Sequence, residues 1–269
     1  MSIITLTTDF GAADWFVGAM KGAILGIAPT AAIVDITHGI AGGDVRAGAF
    51  ALAASCRYFP RRAIHVAIVD PGVGSRRGAI AVQTADYVFV GPDNGVLSLA
   101  LRGEAIKSIH RLENQRLFLK PVSHTFHGRD IFAPVAAHLS QGTPCEELGP
   151  ARRDFQKIAW PRPSKHPRGW RGEVVYIDHF GNAITNIRNE WLDLPEASIS
   201  FRGKTLCPLA PFYQSVAAGR PVAVPGSSGF LEIAMNGGSA AQKLGLQVGS
   251  AITLSPGRGR RTKQRRDRA

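Results

Sequence analysis

Carboxylate and cationic side chains follow two strand-like segments in the first half of the sequence. Asp9 comes soon after the β-branched run Ile3–Thr7, and Asp70 directly follows the apolar run Ala63–Val69. Ligands bind at the carboxyl ends of parallel strands, so we expect both carboxylates at one rim of a sheet. The glycine-rich loop after Asp70 also carries Arg77, a cation that could offset the acids. A strand-end Asp can instead cap a helix, and that alternative stays open for Asp9.

A histidine precedes a predicted helix further along the chain. His127 lies in the segment Thr125–Asp130 and is a candidate for proton transfer or hydrogen bonding. A structural or exposed histidine is the alternative. Arg129 and Asp130 could form a local ion pair in the first turn of that helix.

The second half contains an acid, an aromatic ring and an amide within five residues. Asp178, Phe180 and Asn182 follow a strand-like run. A carboxylate for hydroxyls or a charged group, a ring for stacking and an amide for base edges together suit a nucleoside. The alternative is an ordinary Asx turn with Phe180 in the core.

A third cluster begins in a loop of small residues and continues into an apolar strand. Ser227 lies in the loop, Glu232 interrupts the strand, and Met235 and Asn236 end it. An acid in an apolar strand usually faces solvent, and we expect this of Glu232. Contact with a ligand is the alternative.

The order of elements predicts two domains. Helix-like segments alternate with strands up to about residue 150, which predicts an α/β N-terminal domain with a mostly parallel sheet, helices on both faces and bounds 1–155. Residues 156–170 read as a linker, because Trp160–Gly169 is basic, irregular and rich in proline. Short strand-like runs over 171–255 predict a C-terminal all-β barrel domain. The helices expected in the first half are Trp15–Ile27, Val45–Tyr58 and Gly128–Leu139, and its further strands are Ala32–Ile36, Ala79–Gln83 and Tyr87–Val90. Of these strands, Ala32–Ile36 is expected to be buried.

Composition excludes several classes of protein. Three well-separated cysteines, with no CxxC spacing and no HExxH motif, argue against a metal centre or a disulfide framework. The start of the chain lacks a leader pattern and no apolar run is long enough for a membrane span, so a cytoplasmic protein is expected. Of the formal +12 charge, half comes from residues 256–269, which hold seven Lys or Arg against one Asp. This basic tail is expected to be disordered; a phosphate-binding arm is the alternative.

Seven motifs together resemble one known family, the S-adenosylmethionine (SAM) hydroxide adenosyltransferases, relatives of the fluorinases and chlorinases. The likeness extends over about residues 3 to 254 and rests on the order and spacing of the motifs. They are TTDFG at Thr7–Gly11, DITHGI at Asp35–Ile40, VDPGVGS at Val69–Ser75, GPDNG at Gly91–Gly95, FHGRDIFAP at Phe126–Pro134, IDHFGNAITNI at Ile177–Ile187 and SSGFLEIAMNGGSA at Ser227–Ala240.

The resemblance implies a homotrimer whose ligand lies between the first domain of one subunit and the second domain of its neighbour. It implies that SAM is hydrolysed to adenosine and methionine by in-line attack of an activated water on ribose C5′, with no cofactor and no metal. The implied water-activating residues are Asp70, Arg77 and His127. The implied substrate contacts are Asp9 with the ribose hydroxyls, Asp178 with the methionine amino group, Phe180 and Asn182 with the adenine region, and backbone at Met235–Gly237 with the adenine edge. The candidate substrate-binding set is completed by Asp70, Ser227, Glu232 and Asn236.

Three positions separate this chain from the halogenating relatives. They carry tyrosine where this chain has Asp70, serine where it has Gly128 and tryptophan where it has Gly43. The sequence leaves open which of Asp70 and His127 accepts the proton, and what Gly43 does to affinity. The alternatives are a chlorinase-like halogenase, a non-catalytic adenosine or SAM sensor, and an RNA-associated factor that uses the basic tail.

Overall fold

A computed structural model describes residues 2–167, 169–193 and 196–256 of the chain. The contacts of these residues separate two compact units, with the boundary between Ala159 and Trp160. The predicted basic tail, apart from Pro256, lies outside the described residues. No helix within the described ranges is long and apolar enough to cross a membrane.

Six strands form a mixed sheet in the described part of the first unit. Their order is β2-β1-β3-β5-β4-β6; β1 pairs in parallel with β2 and β3, β3 pairs in parallel with β5, and β4 is antiparallel to both neighbours. The prediction of a mostly parallel sheet is confirmed. Strand β6 was not predicted, because the basic residues of this edge strand interrupt its apolar pattern. The strands are β1 (Ile3–Thr8), β2 (Ala32–Thr37), β3 (Ile64–Ile68), β4 (Ala79–Thr84), β5 (Val88–Pro92) and β6 (Ile106–Arg111).

Helices cover both faces of this sheet, as predicted. Helices α1 (Phe16–Ile27) and α3 (Ala133–Ser140) share a buried core with Val66 of β3, while α2 (Val45–Ser55) belongs to a second core with Ala67. Neighbouring residues of β3 thus enter opposite cores, as the two-residue period of a strand requires.

Two local expectations for this unit are corrected by the structure. The prediction that Ala32–Ile36 is buried is wrong: β2 is an edge strand, and Val34 and Asp35 are exposed. The helix expected over Gly128–Leu139 begins as a π-helical turn, Gly128–Phe132, before α3. Such turns occur frequently at functional sites.

The second unit is built on an antiparallel sheet. Its strand order is β11-β10-β14-β8-β9-β13-β12, with β7 beside β8, and a bridge from Leu209 to Ala223 draws the two edges together into a nearly closed, barrel-like sheet. The stretch expected as an irregular linker contains β7 and the start of β8. The elements are β7 (Ser164–His166), β8 (Gly169–Ile177), β9 (Ala183–Arg188), β10 (Ser198–Phe201), β11 (Lys204–Pro208), β12 (Pro221–Pro225), β13 (Phe230–Met235), α4 (Ala240–Leu244) and β14 (Ala251–Ser255).

Candidate active site

A cavity of about 320 Å³ lies beyond the carboxyl ends of β1 and β3 in the first unit. These two strands are neighbours in the sheet, so their ends meet at one rim, as predicted for Asp9 and Asp70. The rings of Phe10, Phe16 and Phe126 pack together with centroids 5.2–5.9 Å apart and form an apolar wall. The lining residues are Asp9, Phe10, Phe16, Ile68, Asp70, Val73, Thr125, Phe126, His127 and Gly128.

Asp9 is held by a loop rather than by a helix end. Its Oδ2 accepts a hydrogen bond of 2.8 Å from the backbone N–H of Gly43. The N-cap of α1 is Trp15, which makes no side-chain capping bond, so the capping alternative for Asp9 is wrong. Gly43 has φ +76°, a backbone conformation that side-chain-bearing residues rarely adopt. The glycine therefore allows the loop to present its N–H to the carboxylate.

Asp70 and Arg77 form a nearly buried ion pair at the same rim. Arg77 Nε lies 3.0 Å and 2.9 Å from the two carboxylate oxygens, and Nη2 contacts Oδ2 as well. The side chains are only 5% and 11% exposed, respectively. The guanidinium also lies 5.2 Å from the centroid of the Phe132 ring. Such a fork-like pair fixes the orientation of the carboxylate as well as its charge.

His127 completes the cluster on the other side of the guanidinium. Arg77 Nη2 lies 3.0 Å from His127 Nδ1. A guanidinium can only donate, so Nδ1 accepts and the ring proton is on Nε2. Burial and the positive charge of Arg77 hold the pKa of His127 below its usual 6.5. His127 is therefore a neutral ring with an Nε2–H donor.

Asn94 and Gly74 fix the loop that carries Asp70. Asn94 Nδ2 donates to the carbonyl of Val69 at 2.8 Å, while Asn94 Oδ1 accepts from Val96 N at 3.1 Å. On the far side of the loop, Gly74 packs directly on the backbone of His124. Residue-by-residue reasoning missed Asn94, although its motif at Gly91–Gly95 signalled it.

Replacing Gly74 by alanine is expected to reduce both stability and activity. Gly74 has φ +76°, and an added Cβ would overlap the carbonyl oxygen of His124. The strain and the overlap should cost about 1–3 kcal/mol in the free energy of unfolding and separate the Asp70 loop from the His127 loop. Denaturant unfolding and turnover would be measured on Gly74→Ala. Gly103→Ala is the matched control, because Gly103 has φ +82° with nothing within 4 Å; equal effects of both variants would contradict the expectation.

In the second unit, Asp178 organises the turn between β8 and β9. Its Oδ1 accepts from the backbone N–H groups of Phe180 and Asn182 at 2.9 Å and 2.8 Å, and Oδ2 lies 3.0 Å from Asn182 Nδ2. The Asx turn considered from the sequence is therefore present. The alternative that put Phe180 in the core is wrong, because this ring is 73% exposed. One turn therefore holds an exposed aromatic ring, a carboxylate and a buried amide.

Glu232 is buried, so the expectation that it faces solvent is wrong. It is 5% exposed, and Tyr213 donates to its Oε1 at 2.7 Å. Burial raises the pKa of Glu232, Asp178 raises it further, and the Tyr213 hydrogen bond opposes the shift. Two carboxylates of this unit thus lie within electrostatic range of each other.

The remaining candidates lie at opposite ends of β13. Ser227 is exposed in the turn before the strand, whereas Met235 ends it and Asn236 follows. Asn236 Nδ2 donates to Val216 O at 2.8 Å. A strand of this length separates its ends by roughly 17 Å. The structure therefore groups Met235 and Asn236 but leaves Ser227 apart from them.

Replacing Glu232 by glutamine should change the Tm, relative to the wild type, by an amount that depends on pH. Because the folded-state pKa of Glu232 is raised above 4.5, the folded protein holds this proton more tightly than the unfolded chain does. Stability is therefore lost as the pH rises from that value through the folded-state pKa. The glutamine amide does not titrate, so the Tm of Glu232→Gln minus that of wild type should grow from about pH 4 to about pH 7. A difference that stays flat in calorimetry would contradict this.

The described residues offer no obvious metal ligand set. No group of three or more His, Cys, Asp or Glu side chains is arranged to hold a metal ion in that part of the chain. Buried Asp70 and Asp130 are instead paired with arginines; Arg129 Nε lies 2.6 Å from Asp130 Oδ1, the local ion pair considered from the sequence.

Two family models match the chain. The model of the SAM hydroxide adenosyltransferase N-terminal domain matches residues 4–149, and that of the C-terminal domain matches residues 172–253. The two matches together span most of the chain and contain every candidate residue named above.

Individual proteins are similar along nearly the whole length. A protein of Salinispora tropica named (R)-S-adenosyl-L-methionine hydrolase is 39% identical, and the match covers 94% of this chain and 98% of the relative. A protein of Thermus thermophilus with the same name is 38% identical, and the match covers 94% of this chain and 100% of the relative. A fluorinase of an Actinoplanes species is 27% identical, covering 94% of this chain and 97% of the relative. A crystal structure of an uncharacterized conserved protein from Thermotoga maritima is 36% identical with a TM-score of 0.88, covering 95% of this chain and all of that one. The chain belongs to the SAM hydroxide adenosyltransferase family.

Proposed function

We propose that this protein hydrolyses SAM to adenosine and methionine by attack of water on ribose C5′. The observation that carries the proposal is the hydrogen-bonded cluster of Asp70, Arg77 and His127 at a cavity that Asp9 also lines. Relatives 38–39% identical over almost the whole chain bear the name of this activity.

The chemistry requires only an oriented water and a place for its proton. The oxygen of water bonds to C5′ as the C5′–S bond breaks, and the bonding electron pair goes to sulfur. The positive sulfonium becomes a neutral thioether, so the leaving group needs no activation. We therefore propose a reaction without cofactor or metal, in which positioning supplies most of the rate.

Asp70 is the better placed of the two candidate bases. His127 Nδ1 accepts from Arg77, and Nε2 already carries a proton, so the ring can donate to the attacking oxygen but has no free acceptor. Asp70 Oδ1 receives one contact from Arg77, whereas Oδ2 receives two. We propose that Asp70 Oδ1 takes the proton of water while His127 orients its oxygen.

The second unit supplies groups suited to the rest of the substrate. SAM carries two positive charges, on the sulfonium and on the amino group, and the carboxylates of Asp178 and Glu232 complement them. The exposed ring of Phe180 and the amide of Asn182 suit the adenine. We propose that Asp9 accepts hydrogen bonds from the ribose hydroxyls and that Met235, Asn236 and Ser227 complete the contacts.

We further propose that the active form is a cytoplasmic homotrimer with each ligand between the first unit of one subunit and the second unit of its neighbour. The proposed contacts are divided between the two units, and the large side chains of Trp15 and Phe180 are 71% and 73% exposed in the single chain. Light scattering of the purified protein should give a particle of three chains. A monomer that retains full activity at nanomolar concentration would contradict the proposal.

The local packing favours water over halide as the nucleophile. A Cβ added to Gly128 would lie 3.2 Å from side-chain atoms of Phe10, Met20 and Phe126. The serine of the halogenating relatives would therefore be crowded here. The Asp70 carboxylate also repels a halide ion and can accept a proton from water.

The direct test is product formation. Purified protein would be incubated with SAM in buffer with and without chloride, and adenosine, methionine and halogenated nucleoside separated by chromatography. Adenosine and methionine in equal amounts are expected. SAM binding without turnover would instead indicate a sensor, and 5′-chloroadenosine would indicate a halogenase.

A further inference from the structure

One motif of the chain has no part in the proposed chemistry, the segment around Asp35 and His38. It lies at the end of β2, beside the end of β1. The pairing of these strands shifts between Leu6 and Thr7, so that Thr7 faces Thr37. The shift brings His38 alongside the residues that precede and follow Asp9.

His38 contacts the Asp9 segment with both its side chain and its backbone. Its Nδ1 lies 2.8 Å from Thr8 Oγ1, and its carbonyl oxygen accepts from Gly11 N at 2.8 Å. Thr8 is fully buried, and its hydroxyl oxygen also accepts from Phe10 N at 3.2 Å. The residues on both sides of Asp9 are thus tied to one histidine.

The other side of the His38 ring faces a carboxylate. Its Nε2 lies 3.1 Å from Asp35 Oδ1, an ion-pair distance without hydrogen-bond alignment. Asp35 Oδ2 in turn lies 2.6 Å from Lys21 Nζ on α1. Burial opposes the ionisation of Asp35, but Lys21 and His38 outweigh it and hold the pKa of this carboxyl below its usual value.

The same segment leads to the group that Asp9 binds. The chain runs from His38 through four residues to Gly43, whose N–H donates to Asp9 Oδ2. A shift of His38 would therefore move the Asp9 backbone through Thr8 and Gly11, and its carboxylate through Gly43.

We propose that His38 is a positioning residue that holds Asp9 in the geometry that receives the ribose hydroxyls, with Lys21 and Asp35 anchoring its ring. This proposal rests on the proposed function. His38 does not line the cavity, so its effect on the substrate must pass through Asp9. Coupling to Asp9 therefore distinguishes positioning from a general contribution to folding.

The experiment is a double-mutant cycle on the full chain, with kcat/KM for SAM as the readout. His38→Ala should lower kcat/KM about tenfold when Asp9 is present, and less than about twofold in an Asp9→Ala background. His38→Asn should recover much of the loss, because its amide can reach Thr8 Oγ1.

A pair of threonines on β1 provides a matched comparison. Thr8 and Thr5 are both fully buried, and each hydroxyl lies 2.8 Å from a histidine Nδ1, of His38 and His65 respectively. Thr8→Val should lower kcat/KM more when Asp9 is present than in the Asp9→Ala background. Thr5→Val should lower Tm but show no such dependence on Asp9. Both variants keep the shape of the side chain, so they should fold even where His38→Ala does not.

The outcomes separate the two proposals. If the wild type forms no adenosine from SAM, the proposed function fails. If the wild type is active but His38→Ala and Thr8→Val lower kcat/KM by the same factor with Asp9 and with Asp9→Ala, the positioning role is overturned.

Discussion

Asp70→Asn is expected to bind SAM but to turn it over about 10²–10⁴-fold more slowly than the wild type, because the proton acceptor is lost. The asparagine has nearly the same shape, so the cavity should keep its volume. However, an amide nitrogen would face the donors of Arg77, which now contact both carboxylate oxygens. The guanidinium would then lose part of its fixed orientation as well.

Single-turnover kinetics and calorimetric titration with SAM would separate the two effects for Asp70→Asn. The matched control is Asp86→Asn, since Asp86 also pairs with an arginine, Arg61, at 3.1 Å but does not line the cavity. The control should leave the rate unchanged. A rate for Asp70→Asn within threefold of the wild type would remove Asp70 from the role of base.

Arg77→Lys is expected to lower kcat about 10²-fold, because a shift of about an ångström in the reacting groups is enough for a loss of that size. The charge is kept, but a single ammonium group cannot replace a planar fork that contacts both Asp70 oxygens and His127 Nδ1. His127 would lose the donor that fixes its tautomer. Asp70 would lose part of its orientation.

Turnover and thermal unfolding would be compared for Arg77→Lys and for Arg61→Lys, whose arginine is largely exposed. A large fall in kcat with a small change in Tm is expected only for Arg77→Lys. If lysine at position 77 supported near-normal turnover, charge alone would suffice and the fork geometry would be irrelevant.

The rim of the first sheet could be predicted because it depends on local patterns. Apolar runs marked β1 and β3, and the rule for parallel strands placed Asp9 and Asp70 together at their ends. The contact of Arg77 with His127 joins residues 50 positions apart. No period or spacing encodes such a contact, so only the likeness to a family pointed to it.

Other features depend on packing that a strand pattern does not reveal. The sequence pattern predicts that Glu232 faces solvent, yet β13 lies between two strands of a nearly closed sheet. Tyr213, which lies outside the strand, donates a hydrogen bond to the carboxylate. The apolar run of β2 reads as buried, yet the strand is at an edge of the sheet in the single chain. Position within the sheet, rather than composition, decides both outcomes.

The central claim is that water, held by Asp70 and His127, attacks C5′ of SAM. Running the wild-type reaction in ¹⁸O-labelled water with chloride present tests it most directly, with mass spectrometry of the nucleoside product. We predict adenosine with one ¹⁸O atom in its 5′ hydroxyl and no halogenated product. Unlabelled adenosine, or accumulation of 5′-chloroadenosine, would contradict the account.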